Sequence, residues 1–157
     1  MEEGKARGIL KLEGFEGRVE VNGKTYVVKV IDGEAVEEDR NGRKLVRIKI
    51  TAEVGRVEGE HIVDRVVSEY TITFGRYGAD NAAKGSAAAR ADAPGGREAD
   101  AERFSALIKA LAGEEPGVYH MKDGRIIIKC YRKHLDGFAR YAELTDTIIK
   151  WLEETDR

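Results

Sequence analysis

The chain has little of what crosslinks, kinks or anchors a protein. A single cysteine, Cys130, rules out an intrachain disulfide, and nothing points to an oxidising compartment. No run approaches the roughly 20 apolar residues of a membrane-spanning helix. The opening Met1-Glu2-Glu3-Gly4 is acidic, with no apolar stretch behind it, so no secretory leader is expected. Net charge is only −2, which argues against a general nucleic-acid coat or a polybasic membrane binder but leaves room for a local patch. There is no P-loop, no dinucleotide fingerprint and no Gly-x-Ser-x-Gly elbow. These absences predict a soluble, cytoplasmic protein with no membrane partner and no cofactor.

What is present is charge and periodicity. Charged residues make up 36% of the 157, against about 25% in typical chains. With one Cys and two Met, this composition matches the charge-rich, thermolabile-poor habit of hyperthermophile proteins. The length suits one domain that buries roughly 70% of its unfolded surface.

Residues 8–75 read as an antiparallel meander. Ile9–Glu13 is a short strand; Asn22-Gly23 is a hairpin signal between Arg18–Val21 and Lys24–Val30; Asp32-Gly33 marks a second turn before Ala35–Glu38. Lys44–Val54 alternates, with Val46, Ile48, Ile50, Ala52 and Val54 inward; His61–Phe74 returns with Tyr70, Ile72 and Phe74 inward. Residues 76–96 turn to Gly, Ala and Ser and read as a joining segment. Within 82–93 the choice between strand and helix stays open, with a short strand at Ala87–Ala91 favoured. Arg97–Ala112 is a helix with the stripe Ala101, Phe104, Leu107, Ile108, Leu111 and a terminal Gly113. A hairpin follows, then a helix over Leu135–Glu154 with Phe138, Tyr141, Leu144, Ile148 and Leu152 inward and Trp151 at the margin, free to anchor a dimer. The expected fold is α+β: an N-terminal antiparallel β-meander followed by a helix–β-hairpin–helix unit. It forms a single domain over 1–157, with possible subdomains at 1–75 and 97–157.

The hairpin is the one charge-segregated feature. Gly117–Lys122 and Arg125–Lys133 flank Asp123-Gly124, read as a two-residue type I′ turn. That register puts Tyr119, Met121, Ile126, Ile128 and Cys130 on a core face. His120, Lys122, Arg125, Lys129, Tyr131 and Lys133 then share an outer face without an acid. Lys and Arg neutralise phosphates, and Tyr131 or His120 can stack on a base, so these six are the candidate nucleic-acid-binding residues. A solvated sheet face explains the same pattern. Cys130, His120 and His134 are too few for zinc, and no metal is expected. Glu114 and Glu115 beside Pro116 read as a solvated turn, Pro94-Gly95-Gly96-Arg97 as a linker, and no catalytic residue is assigned.

Longer phrases carry a resemblance. Phe74-Gly75-Arg76-Tyr77-Gly78-Ala79-Asp80-Asn81, Arg90-Ala91-Asp92-Ala93-Pro94-Gly95-Gly96-Arg97-Glu98-Ala99-Asp100-Ala101-Glu102-Arg103 and His134-Leu135-Asp136-Gly137-Phe138-Ala139-Arg140-Tyr141-Ala142-Glu143-Leu144 resemble the second ("b") class of archaeal paralogous repeat proteins of Pyrobaculum, over roughly residues 70–155. The resemblance implies a hyperthermophilic archaeal setting and assigns no activity. A likeness of arrangement alone links Ser105–Gly113 and the hairpin to LAGLIDADG homing endonucleases. Ala112 stands where their metal-binding acid precedes the Gly, which disfavours a nuclease. The reading is a non-enzymatic binding protein with DNA or RNA as partner. Its alternative is a self-associating homo-oligomer pairing through the edges of strands 44–54 and 61–74.

Overall fold

Two Asn-Gly pairs set the first two hairpins. Asn22 and Gly23 have φ of 52° and 76°, and Asn41 and Gly42 have 55° and 79°, the paired left-handed geometry of type I′ turns. The computed structural model of the chain describes residues 8–156. It contains β1 (Glu16–Val21), β2 (Lys24–Arg40), β3 (Arg43–Glu58), β4 (His61–Tyr77), β5 (Ala82–Ala88), α1 (Gly96–Ala112), β6 (Gly117–His120), β7 (Ile126–Tyr131), α2 (Arg132–Phe138) and α3 (Ala142–Thr155). All seven strands join one antiparallel sheet in the order β1-β2-β3-β4-β5-β7-β6. The protein is α+β, and its N-terminal strands form the expected meander.

Several expectations are corrected. Asp32-Gly33 is not a turn: β2 runs straight through it, with a bulge between Val30 and Asp32. Gly33 instead makes room for a neighbour, because a Cβ there would come within 2.4 Å of Leu12 Cδ2. Ile9–Glu13 is not a strand. Leu10 makes an isolated parallel bridge to Tyr141, and the Glu143 carboxylate accepts the Leu12 and Glu13 N–H groups at 2.8 Å each. The strand in the small-residue segment is Ala82–Ala88 rather than 87–91, and it lies between β4 and β7. Residues 76–96 therefore contribute a sheet strand as well as joining the two halves. The single C-terminal helix is two, broken at Ala139–Tyr141, where the chain meets Leu10.

The sheet curls around α1, which packs against β1, β2, β3 and β7. This explains why α1 is buried beyond its apolar stripe. Phe104, Leu107, Ile108 and Leu111 are in the core as the periodicity predicts, and so are Asp100, Arg103 and Ser105. Each large apolar side chain so buried contributes about 1.5–3 kcal/mol. On the sheet's inner face, Val46, Ile48, Ile50, Ala52, Val54, Tyr70, Ile72 and Phe74 are all buried. α3 lies across β2 and β3. Trp151 is fully buried there, its Nε1 donating to the Lys44 carbonyl at 3.0 Å beneath the Arg76 guanidinium, so it is not free to anchor a dimer. Strand β3 is paired on both sides along its length, whereas β4 is bonded to β5 only from Thr73 to Tyr77. Residues 61–72 of β4 therefore keep an edge with no strand partner among the described residues, as do β1 and β6. Among the described residues no helix is long and apolar enough to cross a membrane.

Candidate functional site

The hairpin closes one residue away from the predicted register. Met121 donates its N–H to the Arg125 carbonyl at 2.8 Å, and Gly124 donates to the Met121 carbonyl at 3.1 Å, leaving a three-residue loop with Gly124 at φ 94°. The Asp123 carboxylate selects this loop. One oxygen accepts the Arg125 N–H at 3.1 Å and the other accepts Arg125 Nε at 2.8 Å, bonds that hold its carboxyl below the usual range. A shift of one exchanges faces, and on β6 every side chain is exchanged. His120 now stands opposite Ile126, and Val118 opposite Ile128, on the inner side; Tyr119 stands opposite Ile127, on the outer side. Met121, expected in the core, is 43% exposed. On β7 the expectation holds: Ile126, Ile128 and Cys130 are buried, and burial pushes the Cys130 thiol up to about 12.

The six candidate residues separate accordingly. Lys129 and Tyr131 remain together on the outer face of β7, and Lys122 is exposed in the loop. His120 leaves the group: its Nε2 lies 2.8 Å from Glu98 Oε2 on α1. Arg125 is paired with Asp123, and Lys133 belongs to α2, where it pairs with Glu114 at 2.9 Å. His120 thus shares the inner side with Cys130, against the expected register. Among the described residues no group of three His, Cys, Asp or Glu side chains converges to hold a metal.

The sequence reading missed two features. The first widens the hairpin face. Residues paired across an antiparallel sheet point the same way, and the row Arg47, Thr73, Ser86, Lys129, Gly117 runs from β3 to β6. Beside it Gly75, Lys84 and Tyr131 form the next row. The outward residues of β4 from Thr71 onward, and those of β5, β7 and β6, include no acid. Lys49, Lys84, Lys122 and Lys129 stand outside the ion pairs found among the described residues, whereas Arg47 is held by Glu38. Alternation within β5 would have revealed Lys84, had that strand been placed correctly. Tyr119 lies on this face, its hydroxyl 3.4 Å from that of Tyr131 and Lys129 Nζ 5.7 Å from its ring centre. The bond to Tyr119 holds the Tyr131 phenol above its ordinary value.

The second feature is polar and lies inside the curl. A cleft of about 450 Å³ between α1 and the β2–β3 end is lined by Lys24, Tyr26, Arg56, Asp64, Glu102 and Arg103. Glu102 accepts the Tyr26 hydroxyl, Lys24 Nζ at 3.1 Å and Asn22 Nδ2 at 3.2 Å. Desolvation works against its charge, but these three donors outweigh it and lower its pKa. Beneath the cleft, Asp100 takes the Arg90 N–H at 2.8 Å and Arg103 reaches the Pro94 carbonyl at 2.7 Å. Asp100 Oδ1, Arg103 Nε and the Tyr70 hydroxyl stay buried without a partner, and burial pushes the Tyr70 phenol up to about 12. Asp100, four residues before Phe104 and seven before Leu107, lies on the helical face of the apolar stripe, and Arg103, four before Leu107, lies at its margin; their charge kept both out of the predicted stripe. Comparison with protein-family models, curated proteins and solved structures returns no match.

Proposed function

We propose that the protein is a non-enzymatic nucleic-acid-binding protein that uses the outer face of the β3–β6 part of its sheet. The observation that carries the reading is the acid-free outward surface of β4 from Thr71 onward and of β5, β7 and β6, with Lys84 and Lys129 on it and Lys49 and Lys122 at its margins. From β3 to β6 there are four inter-strand gaps, about 19 Å in all, at roughly 4.8 Å each. Phosphates met along that path find ammonium groups and the hydroxyls of Thr71, Thr73 and Ser86. A net charge of −2 concentrates any such contact on this patch and disfavours uniform coating. The setting inferred with it is the cytoplasm of a hyperthermophilic archaeon, supported by the charge-rich composition and the resemblance to the Pyrobaculum repeat proteins.

The test is a salt titration of DNA and RNA binding with the wild type and with the quadruple variant Lys49→Gln, Lys84→Gln, Lys122→Gln, Lys129→Gln. Affinity should fall with salt by a log–log slope of roughly −0.7 to −0.9 per phosphate contact, and the variant should flatten that slope by about three units. No binding at low salt, or equal binding by both proteins, rejects the reading. Self-association through the open edges then leads, and its signature is a molecular mass that rises with concentration.

A further inference from the structure

Resting on that reading, we infer that the nucleic acid taken by this face is single-stranded, with a base stacked on a platform built from Tyr119 and Tyr131. Tyr119 is an outward residue of an edge strand, yet its ring lies down on the sheet instead of standing off it. A Cβ added at Gly117 would come 2.9 Å from Tyr119 Cε1, so the ring covers the place where a side chain of residue 117 would be. Gly117 pairs with Lys129, whose ammonium sits 5.7 Å from the ring centre, and the Tyr131 hydroxyl meets that of Tyr119 at 3.4 Å. Glycine at 117 is what permits this arrangement. The tyrosine is 47% exposed. Every base has a π-face, so an exposed ring of this kind serves any sequence whose bases are unstacked.

The surroundings select against a duplex. A two-stranded β-ribbon can read a major groove only if it projects from the protein. Here β7 is bonded on its other side to β5, so β6 and β7 form the rim of a broad sheet and only the loop 122–124 extends beyond the pairing. A duplex laid on such a face offers phosphates alone and leaves the tyrosines unused. A single strand offers both phosphates to Lys84 and Lys129 and bases to the rings.

Fluorescence anisotropy of the full chain with labelled oligo-dT, oligo-rU and a duplex of equal length, at low salt, tests the inference. One or both single strands should bind more tightly than the duplex. Tyr119→Ala should weaken single-strand binding by about 5- to 150-fold, the effect of losing one stacked base, while changing duplex binding less than twofold. Tyr119→Phe keeps the ring and should stay within about twofold of wild type. Gly117→Ala displaces the ring and should lower single-strand affinity with the salt slope unchanged. Duplex binding as tight as that of both single strands, or a Tyr119→Ala variant unaltered toward them, overturns the inference while a steep salt slope keeps the basic-face reading intact. Absence of binding by every probe removes both.

Discussion

His134 is the residue on which the C-terminal half turns. Its side chain is buried; Nδ1 accepts the Tyr131 N–H at 2.9 Å and Nε2 donates to the Glu115 carbonyl at 3.0 Å. That pair of bonds requires the neutral ring protonated on Nε2. Desolvation lowers its pKa, Lys133 adds to the effect, and the Glu115 carbonyl and Glu114 work against it. A folded value below the ordinary 6.5 means that the fold prefers the neutral form. The stability this gives is complete above about pH 6.5 and is lost as pH falls from there through the folded value. Denaturant midpoints should therefore drop between about pH 7.5 and about pH 5. His134→Ala should cost about 1–3 kcal/mol at neutral pH, by leaving the Tyr131 N–H and Glu115 carbonyl unpaired, and should flatten the drop. An equally steep acid loss in the variant would assign it to other groups. At this scale the sequence was a partial guide. Asp123-Gly124 announced a turn correctly, but the bonds from the Asp123 carboxylate to Arg125 chose three loop residues over two. That choice moved His120 off the outer face and Tyr119 onto it.

Among elements, legibility followed periodicity. The stripe of α1 and the alternation of β3 and β4 are in the fold as read, because one face of each meets a single continuous core. What failed were the places where a tertiary contact, rather than local preference, decides. β2 crosses Asp32-Gly33 because β3 pairs along its whole length, and β5 is recognisable only from its neighbours β4 and β7. The break before α3 is set by Leu10, whose carbonyl accepts the Ala142 N–H at 2.7 Å. α3 nonetheless keeps the predicted stripe, with Leu144 and Ile148 fully buried. Leu144→Ala should destabilise by about 2–5 kcal/mol in chemical denaturation, from lost burial and the cavity left behind. A change within about 0.5 kcal/mol would be that of a surface position and would contradict the packing of α3 on β2 and β3.

At the scale of the molecule, the segregation of strands before helices predicted α+β, but nothing local disclosed that the late hairpin completes the early sheet. β5 makes that connection, flanked by β4 from the first half and β7 from the second. The core likewise mixes the halves: α1 reaches β1 and β7, and α3 lies on β2 and β3. A seam near 76–96 would then run through paired strands and shared apolar surface, and partial unfolding would leave strand edges and core faces open to water. The expected consequence is a single cooperative transition. Trp151, the sole tryptophan, reports on the junction of α3 with the turn end of β3, where its Nε1 meets Lys44 and its ring lies under Arg76. Far-ultraviolet circular dichroism reports on the sheet and helices as a whole. Followed through urea, the two signals should share one midpoint and one slope. Leu107→Ala, in the buried helix between the halves, should lower both midpoints equally, with a loss of about 2–5 kcal/mol. Separated transitions, or a variant that moves only one signal, would divide the chain into two units near residues 76–96.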